Sequence, residues 1–512
     1  MHITTLYRRL DQLWQKPLLY WPVLIALAAA TPLTFAPYYH FWLMPLLFGA
    51  LIRLLELRPT VQLRSAYLFS LIGYTAQFYW IHTALHDISG LPNLYALPLT
   101  LLLPAYLALY PLAAIWLWQK TRLSRGWKTG LALPVYWTLA EFARERIITG
   151  FGWGALGYSQ IADHSPLAGF APLGGIHLVT LATALTGAWL LLCIDQESTR
   201  QRLTAAVLLV ALLIGGQLAR QHTFTQPTGL GSSVALVQGN VSQELKFRED
   251  QVMPTIQHYL QQVADSKADI VVLPETAIPV MREQLAPDIL PLFAHQARAN
   301  NSALAIGIPQ FASDGQNYLN AVLNLSEPTT GSALPYYAKN HLVPFGEYKP
   351  LPWLTEPLYQ MMNMPLADFQ RGGAGQAPFD MAGQKVAFNI CYEDGFGDDL
   401  IASARQATLL ANASNLAWYG RSNAMFQHLQ QSQARSLELG RYMIRATNTG
   451  ATAIIDPQGR IQQLADPDTA TILTGRIEGY QGSTPYMLIG SSWPLISVLL
   501  VLALILLAKR KA

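Results

Sequence analysis

A helix that crosses a lipid bilayer needs roughly 20 consecutive, mostly apolar residues, and this sequence supplies eight such candidate runs. They are Leu18–Phe35, Tyr38–Leu55, Ser65–Leu85, Leu94–Trp118, Gly130–Phe142, Gly175–Ile194, Leu203–Leu218 and Tyr486–Ala508. The fifth is the weakest, because Glu141, Arg144, Glu145 and Arg146 crowd its end. Charged residues make up only 13% of the chain, about half the roughly 25% usual in globular domains. The segment "ALAAATP" (26–32) has the small residues of a processing site, but span follows span, so the first run reads as an anchor. Basic residues fall in every second loop: Arg8, Arg9 and Lys16; Arg53, Arg58 and Arg64; Lys120, Arg122, Arg125 and Lys128; Arg200 and Arg202; Lys509, Arg510 and Lys511. Positive charge stays on the cytoplasmic side, so eight spans put the long segment before the last one on the extracytoplasmic face. Arg144 and Arg146 are the exception to that pattern.

The charge deficit stops between the seventh and eighth spans. There, "SSVALVQGN" (232–240), "DIVVLPE" (269–275), "ALAIGIP" (303–309), "YLNAVLNL" (318–325) and "KVAFNIC" (385–391) read as strands bounded by turn residues. "TAIID" (452–456) and "ATILTGRI" (470–477) add two more, while 251–264, 281–299 and 424–439 have helical spacing. The expected organisation is a membrane bundle over residues 1–225, an α/β sandwich over 226–482 and a last span over 483–512. A net charge of +3, without a basic patch interleaved with aromatics, argues against nucleic acid as a partner. Two cysteines exclude a disulfide framework, and no Cys/His cluster suggests a metal.

One of those cysteines, Cys391, ends a strand and is followed by Glu393 and Asp394 in "NICYEDGF" (389–396). Neighbouring acids raise a thiol's pKa and blunt it as a nucleophile, so the placement needs a reason. In α/β layers reactive groups collect at the carboxyl ends of strands. Glu275 ends another strand in "LPETAIP" (273–279), and Lys339 follows a third apolar run in "KNHLVPFGEY" (339–348). A thiol, a carboxylate and an amine from distant stretches can therefore meet. Singly, each has a plainer reading: a buried small hydrophobe for the cysteine, and solvated strand-end groups for the other two.

Taken in series, "LPETAIP", "KNHLVPFGEY" and "NICYEDGF" resemble the Glu–Lys–Cys motifs of the nitrilase superfamily. A nitrilase-like αββα sandwich held between a bundle of spans and one last span resembles, more closely, the bacterial apolipoprotein N-acyltransferase family. "VQGN" (237–240) and "QARSLELGRYMIRATNTG" (433–450) also resemble blocks of that family. Two positions depart from its usual pattern. Phe247 stands where tryptophan is common, and "SNLAWYG" (414–420) has Leu416 where an aspartate is common. The resemblance implies Cys391 as nucleophile, Glu275 as general base and Lys339 as oxyanion stabiliser, supported by Glu347, Glu393 and Tyr392. It implies acyl transfer from a phospholipid, through a cysteine thioester, to the α-amine of a diacylglyceryl-apolipoprotein. It further implies no metal or cofactor, a monomer, and a place in the bacterial inner membrane with the catalytic domain facing the periplasm. Under this reading the nearby acids hold the lysine and the base rather than facing the sulfur.

The segment 348–369 follows the lysine motif and is rich in proline and large apolar groups. Trp353, Leu354, Leu358, Met361 and Met362, with Phe247, are its candidate lipid-contacting residues. An ordinary packed loop is the alternative. "GFGWGALGYSQ" (150–160) falls on the same side and is a further candidate for closing a lipid entrance. Rival functions are an anchored nitrilase-type amidase acting on a small amide, a scaffold with a degenerate fold, and a transporter. The amidase gives no reason for eight spans, the intact triad argues against the scaffold, and few intramembrane charges argue against the transporter.

Overall fold

The structure is a computed structural model that describes residues 11–195, 198–326, 334–360 and 368–510. The chain forms two compact units. One spans Leu97–His222 together with the segments up to Tyr79 and from Leu488; the other comprises Trp80–Ala96 and Thr223–Met487.

The first unit is helical: α1 Pro17–Ala29, α2 Leu43–Leu57, α3 Gln62–Gln77, α4 Asn93–Leu107, α5 Leu109–Lys120, α6 Leu133–Arg146, α7 Ala171–Ile194 and α8 Thr199–Gln221. Among the described residues, four stretches are long and apolar enough to cross a membrane: Pro17–Thr34, Asn93–Lys120, Pro166–Ile194 and Thr199–Gln221. The other predicted spans also contain helix, but α2, α3 and α6 have only 15, 16 and 14 residues. At 1.5 Å per residue each covers well under the roughly 30 Å of a hydrocarbon core. Turns take up the rest: residues 35–42 precede α2, and the chain beyond Gln77 winds into a wide turn over Thr83–Ile88.

Glycine lets two of these helices approach. A Cβ on Gly49 of α2 would lie 2.8 Å from the Gly187 carbonyl oxygen of α7, and one on Gly187 would lie 2.6 Å from the Pro45 carbonyl oxygen. Such small-residue contacts are how helices pack where lipid leaves no hydrophobic gain between them. The charges that spoiled the fifth span are internally matched. Glu141, 2% exposed, accepts from Trp137 Nε1 and the Leu156 N–H, each at 3.0 Å, and from Thr180 Oγ1 at 2.9 Å. Arg144 donates to the Trp153 carbonyl at 2.9 Å, and His177 lies 3.1 Å from Glu145. The 150–160 segment is thus tied into the bundle rather than hanging from it.

The second unit is built on two six-stranded sheets. Its strands are β1 Gln226–Gln238, β2 Ile270–Val272, β3 Ala303–Phe311, β4 Tyr318–Asn324, β5 Tyr336–Ala338, β6 Phe379–Met381, β7 Gln384–Ile390, β8 Leu409–Ser414, β9 Met443–Thr447, β10 Ala453–Ile455, β11 Ile461–Leu464 and β12 Thr471–Gln481. One sheet runs β12-β1-β2-β3-β4-β5 and the other β11-β10-β9-β8-β7-β6. The strands β1-β2-β3 and β7-β8-β9 are parallel, joined by α9 Glu249–Asp265, α10 Ile289–Ala299, α11 Gly397–Ala404 and α12 Ala424–Leu439.

Alternation along the strands explains the layers, because successive side chains point to opposite faces. Val234 and Leu236 of β1 meet Phe388, Ile390, Ala411 and Ile444 in a core between the sheets. Their neighbours Ala235 and Val237 pack on Ile256, Tyr259 and Phe293 of α9 and α10. Ala387 and Leu410 face α11 and α12. Both faces of each central strand are therefore buried, which is why these strands read as unbroken apolar runs. The result is an αββα stack, and the carboxyl ends of β2, β7 and β8 open toward one place.

Candidate active site

Cys391 immediately follows β7 and has a φ of +51°. That left-handed conformation is uncommon for a residue with a Cβ and stores on the order of 1–3 kcal/mol of strain. The surroundings must therefore hold it, and Glu393 supplies part of the hold. Its Oε2 accepts the Ile390 N–H at 2.7 Å and the Tyr337 hydroxyl at 2.8 Å. Its Oε1 accepts the N–H groups of Asn340 at 2.7 Å and His341 at 3.0 Å. One carboxylate thus pins the end of β7 to the stretch that carries Lys339. Burial raises the pKa of Glu393, while the backbone N–H groups and Lys339 oppose that shift.

Lys339 follows β5 and is 1% exposed. Its Nζ lies 2.9 Å from Glu347 Oε1 and 3.3 Å from Glu275 Oε1. Burial disfavours its charge, but Glu275 and Glu347 outweigh that and hold its pKa well above the ordinary lysine value. Asn320 on β4 bridges the two acids, with Nδ2 at 2.7 Å from Glu275 Oε1 and 2.9 Å from Glu347 Oε1. Glu275 Oε2 accepts the Asn415 N–H at 2.9 Å, and Glu347 Oε2 accepts the Val343 N–H at 2.8 Å. A lone buried charge would cost several kcal/mol; here each is paired and hydrogen-bonded.

The thiol is the outlier. Burial and the Glu275 charge push the Cys391 pKa up to about 12, with Lys339 and Arg445 pulling the other way. At neutral pH the sulfur rests as S–H, so it needs a base when it reacts.

Every sequence-predicted residue of the triad and its support is brought into this one region. Glu347 bonds Lys339 as expected, whereas Glu393 bonds neither Lys339 nor Glu275 and holds the Tyr337 hydroxyl and the backbone of Ile390, Asn340 and His341 instead. Tyr392 follows Cys391 and packs edge-on with Phe396 and His341, at centroid distances of 5.1 and 5.9 Å. Phe247 is half-buried, and Trp353 is 79% exposed on a short helix, Pro352–Tyr359. The side chains of Leu354 and Leu358, and residues Met361 and Met362, lie outside the described residues. Leu416, where an acid is common, sits 2% exposed in the core between the sheets, so an apolar side chain suits it.

Sequence reasoning missed five contributors. Asn320 hides in a strand, and Asn415 sits in the "SNLAWYG" block without a chemical signal. His428 lies within a segment read for helical spacing alone, and Arg445 within the 433–450 block, where nothing singles it out. Lys246, 1% exposed, precedes Phe247 without a signal of its own, yet its Nζ donates to the Glu275 carbonyl at 3.3 Å. Burial brings its pKa down to about 8, against the opposing pull of Glu275 and Cys391. Among the described residues no group of His, Cys, Asp and Glu is arranged to hold a metal ion.

The family model described as carbon-nitrogen hydrolase matches residues 233–486, and the one described as the apolipoprotein N-acyltransferase N-terminal domain matches 27–189. An apolipoprotein N-acyltransferase of Neisseria meningitidis serogroup A is 66% identical over 501 residues, covering 97% of this chain and 98% of that one. The protein of that name from Chromobacterium violaceum is 50% identical over 492 residues, covering 95% and 94%. That from Nitrosomonas europaea is 39% identical over 481 residues, covering 93% and 95%. On this similarity along almost its whole length, the chain belongs to the apolipoprotein N-acyltransferase family.

Proposed function

We propose that this protein moves a fatty acyl group from a membrane phospholipid to the N-terminal α-amine of a diacylglyceryl-cysteine on an apolipoprotein, through a thioester on Cys391. The observation that carries the reading is the buried Glu275–Lys339–Glu347 cluster, placed at the strand ends beside a nucleophile held at positive φ.

Glu275 takes the thiol proton as the sulfur attacks the phospholipid ester carbonyl. The oxyanion that forms is stabilised by the Lys339 ammonium and the Tyr392 N–H, each such donor being worth roughly 3–4 kcal/mol in comparable sites. The C–O bond then breaks. The leaving lysophospholipid oxygen takes the proton back from Glu275, and the acyl group stays on Cys391. In the second half, the neutral α-amine attacks the thioester and gives its extra proton to Glu275. The C–S bond breaks, and the thiolate recovers that proton. Glu347 and Asn320 keep Lys339 and Glu275 in register throughout, and Glu393 holds the nucleophile's turn.

A donor and an acceptor that both live in lipid account for the apolar helices. The reading includes eight membrane crossings, with the shorter helices completing their spans through flanking turns, and three segments at 1–225, 226–482 and 483–512. It places the sandwich on the periplasmic face of the bacterial inner membrane, in a monomer. Trp353 and Phe247 are the described members of a lipid-contacting surface.

Purified protein in detergent, given phospholipid and a synthetic diacylglyceryl-cysteine peptide, should yield a peptide heavier by one fatty acyl group. Glu275→Gln and Lys339→Ala should abolish that product. Hydrolysis of a small amide by a protein that never acylates the peptide would favour the amidase instead.

A further inference from the structure

Beneath Cys391 lies a buried histidine that the reaction above leaves unused. His428 on α12 is fully buried, and its Nε2 lies 2.9 Å from the Cys391 carbonyl oxygen. Its Nδ1 lies 2.6 Å from Nη2 of Arg445. A guanidinium can only donate, so Nδ1 accepts. The ring's single proton then sits on Nε2 and is donated to the Cys391 carbonyl. Burial and the Arg445 charge both hold this imidazole neutral. Arg445 is itself fixed, since its Nη1 reaches Asp394 Oδ2, Asn412 Oδ1 and Ser432 Oγ, each at 2.9 Å. Asn412 Nδ2 adds a second donor to the same Cys391 carbonyl at 3.3 Å.

The carbonyl of Cys391 and the N–H of Tyr392 belong to one planar peptide unit and point in opposite directions. Drawing the carbonyl down onto His428 and Asn412 therefore aims the Tyr392 N–H the opposite way. It also fixes one side of the strained turn at φ +51°. We infer that His428, locked as the Nε2–H tautomer by Arg445, is a positioning residue that directs the Tyr392 N–H at the developing oxyanion. Distance in sequence hides this device: 37 residues separate His428 from Cys391, and 17 separate it from Arg445.

The inference rests on the acyl-enzyme reading, and its test separates the two. Thioester formation on Cys391 is timed by intact-protein mass spectrometry for wild type, His428→Leu and His428→Gln, across phospholipid concentrations. His428→Leu should acylate about 100-fold more slowly, with KM for phospholipid within about twofold of wild type. His428→Gln keeps an amide donor for the carbonyl and an acceptor for Arg445, and should recover most of the rate. A folded His428→Leu that acylates at the wild-type rate would overturn the inference. So would a His428→Gln protein with wild-type melting behaviour that is as slow as His428→Leu. Should His428→Leu not fold, 15N-histidine NMR of the wild-type protein in detergent decides. A proton on Nε2 and none on Nδ1 at pH 7 supports the lock, and the opposite tautomer or a doubly protonated ring overturns it. Absence of any adduct on wild type counts against the acyl-enzyme reading itself, and the NMR result still judges the lock.

Discussion

Two residues make the site's electrostatics measurable. The Cys391 pKa is raised from 9.0 to about 12, so alkylation of this thiol by iodoacetamide should stay slow through pH 9 and climb only in more alkaline solution. A rate already on its plateau at pH 7 would mean a resting thiolate. Lys246 is the opposite case, with its pKa brought down from 10.5 to about 8. Between those values the unfolded chain binds the proton and the folded one does not, so folding stability rises with pH across that window. The full gain is present above 10.5 and is lost as pH falls toward 8; it is on the order of 3 kcal/mol. Denaturant titrations should show this rise in the difference between wild type and Lys246→Met, which removes the opposite drift that the raised Cys391 pKa causes above pH 9. Lys339→Met should cost both activity and stability, the latter by about 3–5 kcal/mol, because it leaves Glu275 and Glu347 buried without their cation. Calorimetry on the variant checks that value. At this scale the sequence was readable where residues sit in motifs: Glu275, Lys339 and Cys391 announce themselves. Their holders do not. Asn320 lies 45 positions from Glu275, and Asn415 lies 140. A hydrogen bond across such a distance leaves no local pattern.

Between elements, glycine at Gly49 and Gly187 sets how closely α2 and α7 pack. Gly187→Leu should drive the helices apart and lower the melting temperature in detergent, at a cost of roughly 1–3 kcal/mol or more; an unchanged melting temperature would show that the contact is slack. The strands were legible because burial on both faces makes them apolar throughout. Boundaries were less so. Helical spacing predicts one helix over 281–299, yet α10 begins at Ile289, since Pro287 has no N–H for an earlier turn. The proline-rich stretch after the lysine motif gives no helical signal, yet Pro352–Tyr359 is helical, with Pro352 at the first position, where a missing N–H costs nothing. The helix α12 looks amphipathic in sequence, yet both its faces are buried, with Gln430, Gln433 and Ser436 satisfied or enclosed inside the protein. Periodicity reports a face that differs from its opposite, and not which solvent each side meets.

Across the whole molecule, a membrane-type half and an α/β half are legible at once, because composition changes sharply between them. The count of crossings was harder. Among the described residues four helical stretches reach full length, while a hydropathy run counts turn residues and helix alike. The proposed orientation has a direct check. In a protein lacking Cys193 and Cys391, a cysteine at Arg421, whose side chain is 81% exposed, should react with a membrane-impermeant maleimide added outside spheroplasts. One at Arg122 should react only after lysis. Reversed labelling would invert the topology and place the sandwich in the cytoplasm.

The central claim is that Cys391 carries the acyl group, and intact-protein mass spectrometry after incubation with phospholipid and no acceptor tests it most directly. The account predicts a fatty acyl adduct that hydroxylamine removes, that is absent from Cys391→Ala, and that disappears when a diacylglyceryl-cysteine peptide is added. A protein that transfers acyl groups without ever forming the adduct, or that keeps it in Cys391→Ala, would contradict the account.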